Sequence, residues 1–171
     1  MVYAGFRRSL PQISIFHNPM SPPSVKVLGI LRSTLTSSYP PSNPKAPPLQ
    51  FDLDVVEGTP PTPDQFKTIL SYLDKSRHSS SSVDNSTPPL SVFLSAHPST
   101  PQVHPTTPTT LSRLVAQNPN ALRWPIVVDW IAGRASVGDL DGVTAILEGI
   151  RRKRDGEEPA DGVEQPKGWF S

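Results

Sequence analysis

The residues best placed to do chemistry lie in one short run, His17-Asn18-Pro19-Met20-Ser21, just ahead of Pro22-Pro23-Ser24. A serine hydroxyl is a weak nucleophile at neutral pH unless a base sits beside it. His17, four positions before Ser21, could be that base and would give hydrolase-like chemistry. Such chemistry also needs an oriented base and an oxyanion site. The simpler expectation is that Ser21 caps the helix that follows it. The chain contains no cysteine, so neither a thiol nucleophile nor a disulfide framework is open to it.

Other groups read as surface chemistry. His78, His97 and His104 are scattered through polar stretches, with nothing in their spacing to make them converge on a metal. Asp52 and Asp54 point the same way by strand alternation, and together with Glu57 fit a solvated strand face. The run Arg151-Arg152-Lys153-Arg154 fits the exposed end of a helix. Trp124 and Trp130 read as packing residues. No metal or cofactor is expected.

The elements that must position the His17–Ser21 run follow from local pattern. Ile13-Ser-Ile-Phe16 is a short β-rich segment between Pro11 and the turn formers Asn18 and Pro19. A helix is expected from about 22 to 33, because prolines are tolerated in a first turn. The alternation in Phe51-Asp-Leu-Asp-Val-Val56 predicts a half-buried strand. Thr62-Pro63-Asp64-Gln65 is a complete helix start, with Phe66, Ile69, Leu70 and Leu73 as the apolar face to about Lys75. Leu90–Ala96 could be a strand or a helical turn. Thr110 is expected to cap a short helix that ends at Asn118-Pro119. Pro125–Trp130 reads as a strand, Gly133 as a turn, 134–138 as its hairpin partner, and Asp139 as the cap of a last helix.

The order β-α-β-α, loop and helix, β-β-α predicts an α/β sandwich with a small mixed sheet flanked by helices and long Pro/Ser-rich loops. The expected organisation is a basic N-terminal segment 1–12, one domain over 13–154 and a polar tail 155–171. Linker-like loops fall at 36–49, 76–89 and 98–109, where much of the proline lies (22 residues in all). No Asp or Glu precedes Asp52, so the first third is uniformly basic although the net charge is only +1. Five spread cations without aromatic platforms do not make a nucleic-acid surface. No apolar run approaches the ~18 residues of a membrane span.

The opening ISIFHNPMSPPSVKVLGIL resembles that of the arsenate-reductase and Spx-type branch of the thioredoxin superfamily, where a strand leads into His-Asn-Pro, one variable residue, a catalytic cysteine and a helix. Asn118-Pro119 followed by Pro125-Ile-Val-Val resembles the proline-preceded third strand of that branch. A closer resemblance is to a fungal family of mitochondrial redox proteins. Phe51–Val55, Pro61–Gln65 and Val128–Trp130 match its F-D-x-x-V, P-T-x-D-Q and V-D-W blocks.

The resemblance implies a thioredoxin-like fold, thiol-based reduction of small molecules, and a mitochondrial location, with the cytoplasm as alternative. With only 12 residues ahead of the first strand, import would leave little or no trimming. The resemblance also implies a cis Trp124–Pro125 bond facing the loop after the first strand. It places Ser21 at the reductase cysteine, leaving the reductase chemistry without its thiol. His17, Asn18, Ser24, Arg123 and Pro125 become candidate ligand contacts. Arg123 and Arg134 stand near the positions of the reductase's basic anion clamp, at shifted spacing. The alternative is a non-catalytic binding module for a small anion, a glutathione-like ligand or a protein partner, with an anion favoured by the basic first third and the helix start at Ser21.

Overall fold

A strand buried on both faces builds the centre of the molecule. In strand β1 (Gln12–His17), Ile13 and Ile15 face one side of the sheet and Phe16 the other, and all three are essentially sealed from solvent. The computed structural model describes residues 10–78, 89–96 and 105–157. Within them a four-stranded sheet runs in the order β2-β1-β3-β4, with β2 at Asp52–Glu57, β3 at Ile126–Asp129 and β4 at Arg134–Val137. β1 pairs with β2 in parallel and with β3 antiparallel, and β3 pairs antiparallel with β4. The hairpin expected around Gly133 is present, with that glycine at φ +68°, where a side chain would be strained.

Among the described residues four helices cover the two faces: α1 (Pro22–Thr36), α2 (Pro63–His78), α3 (Pro108–Gln117) and α4 (Leu140–Asp155). On one face Ile13, Ile15 and Val127 meet Val27, Leu28 and Leu31 of α1 and Val143, Ile146 and Leu147 of α4. On the other, Phe16, Ile126 and Val128 meet Phe66 and Ile69 of α2, Leu111 and Val115 of α3, and Phe93. Each fully buried side chain of this size stabilises the fold by roughly 1.5–3 kcal/mol relative to exposure. This is a three-layer α/β sandwich of thioredoxin-like form.

Local details refine the expectations. The Leu90–Ala96 stretch settles as a 3₁₀ turn, Leu90–Phe93, because Phe93 must reach Phe66, an edge-on contact at 5.0 Å. Helix α3 is capped by Thr107, not Thr110. Proline 108 takes the first helical position, and Thr110 completes the reciprocal capping box as the third helical residue, so the helix starts inside the expected 98–109 loop. The α1–β2 loop, expected to be linker-like, is anchored. Tyr39 and Leu49 are buried in the α1/α4 core, and the Leu49 N–H donates to the Thr34 carbonyl at 2.9 Å. Thr62 and Gln65 form the predicted box at the start of α2. Most of the 76–89 loop, and His97 and His104, lie outside the described residues.

Candidate functional site

His17, the last residue of β1, is buried and follows Ile13 and Ile15 onto the α1 side of the sheet. Its Nδ1 lies 2.7 Å from the Oγ of Ser24, itself fully buried in the first turn of α1. That Oγ also accepts the Asn18 N–H at 3.0 Å. With one hydroxyl proton to place, the arrangement that satisfies all three groups has Ser24 donating to Nδ1 and the ring proton on Nε2. The imidazole is thus tied to Ser24, seven residues on, and not to Ser21. A His17–Ser21 dyad is not formed.

Ser21 does occupy the N-cap position of α1, but its side chain makes no capping bond. Pro22 and Pro23 lack N–H groups, so the hydroxyl has no donor at the first two helical positions, and it does not bond the Ser24 N–H at the third. The other amides of the loop are engaged. Asn18 N–H goes to Ser24, Met20 N–H to the Asn18 side-chain oxygen at 3.0 Å, Ser21 N–H to the Asn18 carbonyl at 3.0 Å, and Val25 N–H to the Ser21 carbonyl at 3.1 Å. An oxyanion would meet a helix start stripped of most of its donors.

Pro125 follows a cis peptide bond from Trp124, as the resemblance implied. The β1–β3 register, which pairs Phe16 with Ile126, brings Pro125 opposite His17 one step further on. Pro125 is held from the far side by the Gly138 N–H, which donates to its carbonyl at 2.8 Å. Among the described residues the main-chain N–H and carbonyl of Trp124 have no partner, while its indole N–H donates to the Pro119 carbonyl at 2.8 Å. Exposed Met20 and Val25 stand on the neighbouring loop and helix.

The two arginines do not converge. Arg123 is exposed and runs its aliphatic stem over Gly138, lining a cavity of about 470 Å³ with Leu73, Ser136 and Asp139. Arg134 begins β4 at the opposite end, so the length of the strand, roughly 13 Å over four residues, separates the two backbones. They cannot clamp one small anion.

At that opposite end a second cavity of about 430 Å³ opens between the β3–β4 turn, the α1–β2 loop and the last turns of α4. Sequence reading did not point to it. The signal available was Gly149, a glycine within the buried stripe of α4. A Cβ there would overlap the Arg134 guanidinium.

Asp52 and Asp54 are exposed on β2. Among the described residues no group of three His, Cys, Asp or Glu side chains could hold a metal, and no helix is long and apolar enough to cross a membrane.

The sheet order, the helices on both faces and the cis-proline beside the β1–α1 loop define an α/β protein of the thioredoxin-like sandwich class. The chain belongs to the family described as Protein of unknown function (DUF1687), whose model matches residues 5–138, from ahead of β1 through β4. No curated protein matches the chain.

Proposed function

We propose that the protein is a non-catalytic thioredoxin-fold module that binds an extended peptide backbone beside Trp124-Pro125, a glutathione-like ligand being the smallest of that class. The observation that carries this reading is the accounting of polar groups around the former nucleophile position. Ser21 has no base, His17 is bonded to Ser24, and the amides from Asn18 to Ser21 that exist are engaged. Small oxyanions are therefore poor candidates. A peptide is better suited, because the Trp124 main chain offers one donor and one acceptor without partners among the described residues, and Met20 and Val25 are exposed apolar side chains on the loop and helix that follow β1.

The likeness of the His17–Ser21 run to the arsenate-reductase branch supports descent from a thiol redox protein. The resemblance of Phe51–Val55, Pro61–Gln65 and Val128–Trp130 to the fungal mitochondrial family supports a mitochondrial location, with the cytoplasm as alternative; import into isolated mitochondria tests it.

The reading is tested by titrating the ¹⁵N-labelled protein with glutathione, arsenate, phosphate and sulfate. Glutathione should move the Trp124 and Ser21 amides and raise the melting temperature, and Met20→Asp should weaken both effects. Response to the oxyanions with none to glutathione or to short extended peptides would overturn it.

A further inference from the structure

The two edge strands of the sheet are protected differently. On β2 the exposed carboxylates of Asp52, Asp54 and Glu57 stand along the edge, a device by which sheets discourage a further strand. On β4 the main chain itself is open. Bonded pairs alternate along an antiparallel ladder. The Gly138 N–H reaches the Pro125 carbonyl at 2.8 Å, so alternation makes Val127–Ser136 and Asp129–Arg134 the bonded pairs. Ala135 and Val137, which lie between them, therefore direct their N–H and carbonyl groups outward. Among the described residues nothing bonds these groups.

The cavity of about 470 Å³ runs along this edge. It touches the consecutive residues Ala135 to Gly138, whose side chains alternate between the faces of the sheet. Leu73 and Val92 bound it from one face and Gly142 of α4 from the other. A space that meets both faces of an edge strand lies beside its open main chain.

Most of the polar side chains there are engaged. Ser136 donates to the Asp139 carbonyl at 2.7 Å, and Asp139 Oδ1 accepts the Asp141 N–H at 3.0 Å. Arg123 differs. It is exposed beside Gly138, and its guanidinium bonds no group among the described residues.

We infer that β4 accepts an added strand from a partner protein, an extended segment with an apolar side chain over Leu73 and Val92 and an acidic residue at Arg123. Main-chain donors and acceptors spaced along a strand match another extended chain. The unpaired guanidinium suits a carboxylate. Asp139 does not cancel it, because its carboxylate accepts an amide at the positive start of α4. The site uses the outer side of β4 and not the Trp124 main chain, so it stands or falls apart from the peptide reading above.

The test is hydrogen exchange and NMR titration of the full chain with a capped hexapeptide of alternating threonine and valine ending in glutamate. Glutamine-ended, lysine-ended and fully N-methylated versions are the comparisons. In the free protein the Ala135 and Val137 amides should exchange faster than that of Ser136. The glutamate peptide should slow both, with no change on β2. The glutamine version should bind about tenfold more weakly, the scale of one charge-assisted contact, and the N-methylated version not at all. Arg123→Met should erase the preference for glutamate. Ala135→Pro, which removes an outward N–H and no β3 bond, should abolish protection at Val137. Equal binding of the glutamate and lysine versions, binding of the N-methylated peptide, or protection appearing on β2 would overturn the inference. So would shifts confined to Trp124 and Ser21, or protection of Ala135 and Val137 by dimerisation alone, seen by sedimentation.

Discussion

The imidazole of His17 and the hydroxyl of Ser24 meet at 2.7 Å beneath the β1–α1 loop, joining the last residue of a central strand to the first turn of the helix that follows. This bond fixes both the orientation of the ring and the course of the loop, because the same hydroxyl receives the Asn18 N–H. It makes the His-Asn-Pro run a structural bracket.

Removing the hydroxyl should therefore loosen the loop. Ser24→Ala leaves Nδ1 and the Asn18 N–H without their partner and should cost about 1–3 kcal/mol, read from urea unfolding. In the parent protein, ¹⁵N shifts of the ring should place the proton on Nε2. An Nδ1–H tautomer would reverse the assigned direction of the bond.

Introducing a thiol at Ser21 should not create a reductase. In Ser21→Cys the sulfur would stand at a helix start whose first two residues are prolines, with few amides left to stabilise a thiolate or an oxyanion. Arsenate reduction with glutathione as reductant should stay at background. Turnover would mean that the loop rearranges to free its donors.

The Leu90–Phe93 segment belongs to the core. Phe93 is fully buried and meets the ring of Phe66 edge-on. Phe93→Ala should destabilise the protein by about 3–5 kcal/mol, whereas Val25→Ala on the exposed side of α1 should change stability by less than about 0.5 kcal/mol. Equal and small effects would detach the 3₁₀ turn from the folded unit.

The end of α4 should respond to acid. Arg151 bonds Glu148, Asp155 and Glu157, and these bonds hold the carboxyl pKa of Glu148 and Glu157 below the usual carboxylate value; the pKa of Asp155 is lowered too, with the bond from Arg154 the larger cause and Arg151 the lesser. Carboxyls whose folded pKa lies below the unfolded value contribute stability above the unfolded value and lose it as pH falls through the folded one. Arg151→Met should thus lower the melting temperature by a few degrees at pH 6–7, with the difference shrinking below about pH 4. A pH-independent difference would assign the arginine's role to its packing.

Much of the fold was legible before any coordinates. The capping box at Thr62–Gln65, the β-rich run of β1, the alternation in β2, and the apolar stripes of α2 and α4 are local patterns, and local sterics and burial act on them directly. Errors fell where a polar residue had two plausible positions. At α3 both Thr107 and Thr110 take part in the cap, and only Pro108 at the first helical position assigns their order. The α1–β2 loop carries five prolines between Pro40 and Pro48 and no apolar period, yet Tyr39 and Leu49 pack from it.

By itself the sequence determined the absence of thiol chemistry, the element order and the prolines that strip α1 of its first two donors, because each depends on residue type and near neighbours alone. Only the tertiary structure decided that His17 reaches Ser24 and not Ser21. It alone placed Arg123 and Arg134 at opposite ends of β4 and laid Arg134 over Gly149. Those outcomes depend on which strand end and which helix face meet in space, and a pairing register or a missing Cβ fixes such meetings across distances that sequence spacing does not encode.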